Sequence, residues 1–172
     1  VDYRATAFKL EWMQESEDDL RQSSEFLQDV IAETRPDLLH FSQFHYGSLK
    51  VGIPKIVIAH SDVVSWWVAV HGEEPKPSPW STSYRDIVRK GLSGADVVIA
   101  PSRWMLGAVS AHYGKPRHGI VIYNGRNPGL FNPHMSKDDL VVSVGRVWDK
   151  AKQLSLLMDS EHKVPVWIAG EE

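Results

Sequence analysis

The sequence predicts an α/β fold built from two consecutive parallel-sheet units, and three features of the chain carry that expectation. Short apolar runs with almost no polar alternation recur at residues 38–41, 56–59, 95–100, 120–123, 140–144 and 164–169, the pattern of strands covered on both faces of a parallel sheet. Helical periodicity separates several of these runs. A cluster of turn signals, Asn124-Gly125, Asn127-Pro128-Gly129 and Asn132-Pro133, interrupts the series. The expected division is a first unit over residues 1–134, ending in a linker from about 124, and the beginning of a second unit over residues 138–172.

Each element has its own reason. Ser16 followed by Glu17, Asp18 and Asp19 reads as a helix N-cap with an acidic first turn, and Leu20, Phe26, Leu27, Val30 and Ile31 recur at helical spacing up to Pro36. The stretch HGEEPKPSPWSTS at 71–83 is rich in proline and serine and is expected as a surface loop, followed by a short helix at 84–92. Ser102 is the expected N-cap of a helix over 104–113 that stops at Gly114, and residues 153–158 read as part of another helix. Alternating strands and helices imply right-handed crossovers. Ligands of such sheets bind beyond the carboxyl ends of the strands, which places the search at His60, Pro101-Ser102, Asn124-Gly125, Gly145-Arg146 and Gly170.

At 172 residues and 42% hydrophobic, the chain can build the core of one domain, or of a domain and a piece of another. Its 19 basic and 22 acidic side chains leave a net charge of -3, which offers no broad cationic surface to nucleic acid. A phosphorylated ligand must therefore be met by a few placed residues. The absence of cysteine excludes a disulfide framework and a thiolate metal site, and makes the cytoplasm the expected location. No apolar run approaches the roughly 20 residues needed to cross a bilayer. Arg85, Arg89 and Lys90 share the short helix with Ile87, Val88 and Leu92, the pattern of an ordinary amphipathic surface helix that also fits a peripheral membrane contact. The opening stretch VDYRATAFKLEWM is neither a signal nor a transit peptide, and it and the strand-like ending VPVWIAGEE are both expected to be fragment boundaries.

Several strand ends, in chain order, resemble family 4 of the retaining glycosyltransferases with the GT-B fold. The matching stretches are PDLLHFSQFHYGS, IPKIVIAHSDVVSWW, GADVVIAPSRWM ending in HYG, IVIYNGRNPGLFNP, VVSVGRVWDKAKQL and VWIAG. None is specific alone; together they span about two thirds of the chain. The resemblance implies an incomplete N-terminal Rossmann-like domain followed by the start of a second. It implies an acceptor held mainly by the first domain and a nucleotide-diphosphate sugar held mainly by the second as co-substrate, with no cofactor or metal. It further implies transfer with retained anomeric configuration. The family's first strand and glycine-rich loop would precede Val1, and the glutamate pair that grips the donor would follow Glu172, so the chain alone is expected to hold the donor poorly and not to turn over.

The resemblance also implies site residues. Arg146 and Lys152 of the GRVWDKAK stretch would be the catalytic pair, and the chemistry is sound, because two fixed cations stabilise the charge that a departing diphosphate develops. Lys152 is expected at the start of a helix whose N-terminal amides add to the anion site. Lys150 is the alternative in register, and a merely solvated helix start is the plain reading of either lysine. His60 would reach the transferred sugar or the acceptor and face the cleft between the domains. Gly145, Gly170 and Asn124 fall on the donor side, with Gly125 serving turn geometry and Glu171 standing where a partner glycine to Gly170 is expected. Trp66 and Trp67 are weaker candidates for stacking an acceptor sugar, with Trp80 nearby, since large aromatics equally fill cores. His40 and His45 do not form metal spacing with His60.

A glycoside hydrolase needs facing carboxylates, and the acidic residues here are expected on the first helix and in loops. The alternatives that stay open are a non-catalytic sugar- or nucleotide-binding α/β domain and a GT-B nucleotide-sugar epimerase.

Overall fold

Residues 1–170 are described by the computed structural model, and their contacts divide the chain into two units, Val1–Asn124 and Gly125–Glu172. Glu171, expected beside the donor-side glycine, lies outside the described residues. No helix among the described residues is long and apolar enough to cross a membrane.

The first unit opens with an irregular arm that leads into α1 (Glu17–Thr34). Ser16 precedes this helix without making the expected side-chain cap; its own backbone is already helical, and Glu17, Asp18 and Asp19 supply the favourable charge at the first turn. Arg35 closes the helix in the left-handed region at φ 48°, donating its N–H to Ile31 O, just before Pro36. Four short strands follow, β1 (Leu39–Phe41), β2 (Lys55–Ile58), β3 (Val97–Ala100) and β4 (Gly119–Val121), which pair in parallel in the order β1-β2-β3-β4. Between β2 and β3 lie α2 (Val63–His71) and α3 (Pro79–Gly94), and between β3 and β4 lies α4 (Arg103–Tyr113).

Every crossover steps one strand in the same direction, so right-handed connections place α2, α3 and α4 on a single face of the sheet. Burial follows. The register row Phe41, Val57, Val98 lies under the helices at 8%, 0% and 1% exposure, whereas the next row, Ile58, Ile99, Ile120, opens to 46% at Ile120. On that second face Ile58 is still buried at 9%, so the expected two-sided cover holds at β2 and is lost toward the β4 edge.

The expected loop over 71–83 is also corrected. Only residues 72–78 are irregular; Ser78 caps α3 through Ser81 N, Ser81 returns a bond to Ser78 N, and Pro79 occupies the first turn, where its missing N–H costs nothing. Ser102 caps α4 as expected, accepting Met105 N at 3.0 Å. The sharpest contact in the unit joins α3 to the 3-10 turn His45–Ser48: a Cβ on Gly91 would overlap the Phe44 carbonyl, and one on Gly47 would overlap the Gly91 carbonyl. Glycine at both places lets backbone touch backbone, and that contact fixes the segment just after β1.

The second unit holds a separate parallel pair, β5 (Val141–Val144) and β6 (Val166–Ala169), in register Val141 to Val166. Between them run a 3-10 turn, Lys150–Lys152, and a single-turn helix, α5 (Ser155–Met158). Val144 is 76% and Trp167 62% exposed, so the apolar side chains of the pair are largely at the surface.

Candidate functional site

Beyond the carboxyl ends of β1 and β2 lies a cavity of about 550 Å³, at the place where open parallel sheets bind ligands. One wall is the turn after β1, with Ser42, Gln43 and Phe44. The turn after β2 brings His60, Ser61 and Asp62, and α2 adds Val63 and Trp66. Trp80 and Tyr84 of α3 form a third wall, their rings stacked at 5.9 Å with 17° between planes. The fourth comes from the N-terminal arm, which contributes Leu10, Glu11 and Trp12.

The arm arrives there because it runs antiparallel alongside α1. Arg4 pairs with Glu33 near the end of the helix, Phe8 meets Phe26 in its middle, and Lys9 N donates to Asp19 near its start. Glu11 then anchors the tip: its two carboxylate oxygens accept the backbone N–H groups of Phe44 at 2.9 Å and His45 at 2.6 Å. At 5% exposure Glu11 is buried, and burial pushes its carboxyl pKa up against the pull of those two bonds. The stretch read as a fragment boundary is thus a structural part of the site.

Asp62 organises the opposite side. It is the N-cap of α2, with Oδ1 accepting Ser65 N at 2.8 Å and the Tyr113 hydroxyl at 2.5 Å. Tyr84 accepts Val63 N at 3.1 Å through its hydroxyl oxygen. Burial drives both tyrosine pKa values well above the usual range, so both hydroxyls stay protonated. Three polar atoms on lining residues, Gln43 Oε1, Asp62 Oδ2 and Trp80 Nε1, are buried with no protein hydrogen-bond partner. Each such orphan costs about 1–3 kcal/mol, an expense that native structures seldom retain without a role. Trp12 and Trp66, by contrast, are 50% and 42% exposed.

Of the residues expected from sequence, His60 and Trp66 line this cavity; His60 is exposed there. Trp67 does not line it. It packs on His71 at 4.4 Å between ring centroids, with the Trp66 ring edge-on to both, 6.4 Å from Trp67 and 5.9 Å from His71. Asn124 follows β4 as an exposed residue outside the cavity. Glu11, Trp12, Gln43 and Asp62 escaped the sequence reading. Asp62 alone carried a local signal, an aspartate three residues before Ser65 at the head of an apolar helix; the others are brought in by long-range packing.

In the second unit, Gly145, Gly170, Arg146 and Lys152 gather at the carboxyl ends of β5 and β6. A Cβ on Gly170 would overlap the Gly145 carbonyl, and the Lys152 methylenes lie 3.4–3.5 Å from where a Gly145 Cβ would stand. Arg146 donates from Nη2 to Asp149 Oδ2 at 2.7 Å and lies 4.9 Å from the centre of the Trp148 ring. Asp149 is itself fixed, its Oδ1 accepting Ala151 N at 3.0 Å. The expected helix start at Lys152 is corrected: the lysine closes a 3-10 turn, and the four-residue α5 begins at Ser155, so no long helix aligns its amides there. Lys150 instead borders a neighbouring cavity with Trp148 and Leu154 that includes neither Arg146 nor Lys152.

The sequence profile described as Glycosyltransferase Family 4 matches residues 6–130. No curated protein matches the chain. The matched span runs from the arm through β4 and includes every residue lining the cavity after β1 and β2. The chain belongs to glycosyltransferase family 4.

Proposed function

We propose that the protein transfers a sugar from a nucleotide-diphosphate donor to an acceptor hydroxyl with retention of anomeric configuration, and that the cavity beyond β1 and β2 receives the acceptor. The observation that carries this reading is the position of His60: an exposed imidazole at the carboxyl end of a parallel strand, bordering a cavity walled by indoles. In this reading His60 contacts the transferred sugar or the acceptor. Arg146 and Lys152 meet the diphosphate as it departs, stabilising charge that is greater in the transition state than in the bound donor. Gly145 and Gly170 let the donor approach the backbone, and Asn124 contributes on the donor side. The charge of the leaving group is met by these two cations, with neither metal nor cofactor taking part, and the reaction is cytoplasmic.

Arg146 is already committed to Asp149 and Trp148 and its side chain is 56% exposed. Charge stabilisation is strongest where water is excluded, so the 172-residue chain on its own is expected to turn over little or no donor. A non-catalytic sugar-binding module remains the second reading, favoured by that same exposure. A donor screen on the intact gene product separates the two: release of nucleoside diphosphate that depends on an added acceptor supports transfer, and tight sugar binding with no release under any donor supports the module.

A further inference from the structure

We propose that the acceptor is a sugar rather than a lipid or protein hydroxyl, and that Trp12 on the N-terminal arm and Trp66 on α2 form the platform for a neutral pyranose ring. This rests on the reading of the cavity as the acceptor site. A pyranose has an apolar C–H face and a rim of hydroxyls, and the cavity supplies both complements. Two indoles, 50% and 42% exposed, present flat apolar surface at its edge. Its lining residues hold two unmatched acceptors, Gln43 Oε1 and Asp62 Oδ2, and one unmatched donor, Trp80 Nε1. An alkyl chain would match the indoles and leave all three polar atoms orphaned. None of the three atoms is itself exposed to the cavity, but Gln43 and Trp80 are only half-buried. Hydroxyls, which donate and accept, can match these two once the amide and the indole turn toward the ring.

Charge narrows the class further. Glu11 and Asp62 both border the cavity, and no lysine or arginine does. A uronate or phosphorylated ring would bring a negative charge toward Asp62 with only the His60 imidazole, and no permanent cation, to receive it, so the sugar at this position is uncharged. The arm makes the platform specific to this architecture: Glu11, clamped on Phe44 and His45, fixes the residue next to Trp12.

The test is binding in the absence of donor, followed by saturation-transfer NMR and tryptophan fluorescence on the 172-residue chain. The probes are the methyl glycosides of glucose, galactose, mannose and N-acetylglucosamine, with methyl glucuronide and 1-octanol alongside. The expected result is saturable binding of at least one neutral glycoside, with saturation transferred to its C–H face. Trp12→Ala and Trp66→Ala should each weaken that binding about 10-fold or more, as loss of a stacking aromatic does, and Trp104→Ala, at an exposed indole that does not border the cavity, should leave it unchanged. Trp12→Phe should restore part of the loss. The proposal is overturned if glucuronide or octanol binds and no neutral glycoside does, if none of the probes binds, or if Trp12→Ala binds as the parent does. Failure here leaves sugar transfer itself standing where the intact protein still transfers to a non-sugar alcohol, and glycoside binding without any donor turnover refutes transfer while sustaining the platform.

Discussion

Glu11 holds the backbone of Phe44 across 33 residues of chain, one carboxylate oxygen accepting the Phe44 N–H at 2.9 Å while the other accepts that of His45 at 2.6 Å. This single side chain joins the arm to the turn after β1, and both sides of that joint line the cavity. Removing it in Glu11→Ala leaves two amide donors without their acceptor, and the expected loss is about 2–4 kcal/mol by urea unfolding. Glu11→Gln should cost less, because the amide oxygen still accepts one of the two bonds. An alanine variant within about 0.5 kcal/mol of the parent, the range of ordinary surface substitutions, would show that the arm is not held this way.

The glycine contact between α3 and the turn His45–Ser48 makes a paired prediction. In Gly91→Ala the new methyl meets the Phe44 carbonyl, a backbone atom that cannot swing aside, so a loss of about 1–3 kcal/mol is expected. Gly107, mid-helix in α4 with nothing near its missing Cβ, should behave oppositely, and Gly107→Ala should gain up to about 1 kcal/mol. Equal effects of the two substitutions in thermal melts would contradict the close approach.

His45 supplies a pH dependence. Its Nε2 sits 2.9 Å from Ser24 Oγ and 3.2 Å from Leu20 O, and burial holds its pKa below the usual 6.5, with the Leu20 bond opposing. A lowered folded value means that the unfolded chain binds more protons in the window below 6.5, so this histidine's contribution falls as pH drops through that window. Glu11 works the other way: its raised pKa favours the protonated form in the fold, adding stability as pH falls toward its ordinary value. Comparing the parent with His45→Gln cancels the Glu11 part. The Tm advantage of the parent should be larger at about pH 7.5 than at about pH 5, and an advantage that grows on acidification contradicts the assignment.

The roles proposed for Arg146 and Lys152 separate by kinetics. Arg146→Ala and Lys152→Ala should each lower kcat on the order of 10²- to 10³-fold while changing donor affinity much less, as deletion of one preorganised charge-stabilising group does. Lys150→Ala is the control, since its side chain borders a different cavity. A large kcat loss in Lys150→Ala with Lys152→Ala unaffected would move the register by two residues.

The layers of this fold were written in the sequence with uneven clarity. Apolar runs bounded by turn residues marked the six strands of the described residues, because β-branched and other apolar side chains fit the pleated, partly buried surface of a sheet, as in Val97–Ala100. The first turn of α3 was missed for a local reason: Ser78-Pro79 signals a turn and a helix start alike, and only the returned bond from Ser81 decides between them. The site divided the same way. His60 was legible because it ends a strand, whereas Glu11, Trp12 and Gln43 reach the cavity through contacts spanning tens of residues, which no local pattern encodes. Trp66 and Trp67 looked equivalent in sequence; only Trp66 reaches the cavity, and α2, which carries both, was the element left unread.

The measurement that bears most directly on sugar transfer is the anomeric configuration of the product. The intact protein should be given a nucleotide-diphosphate sugar and a neutral glycoside acceptor, and the first-formed product followed by proton NMR at its anomeric signal. A new glycosidic bond with the donor's own anomeric configuration, formed in step with released nucleoside diphosphate, is the result this account predicts. An inverted product, or release of free sugar with no acceptor glycosylated, would contradict it.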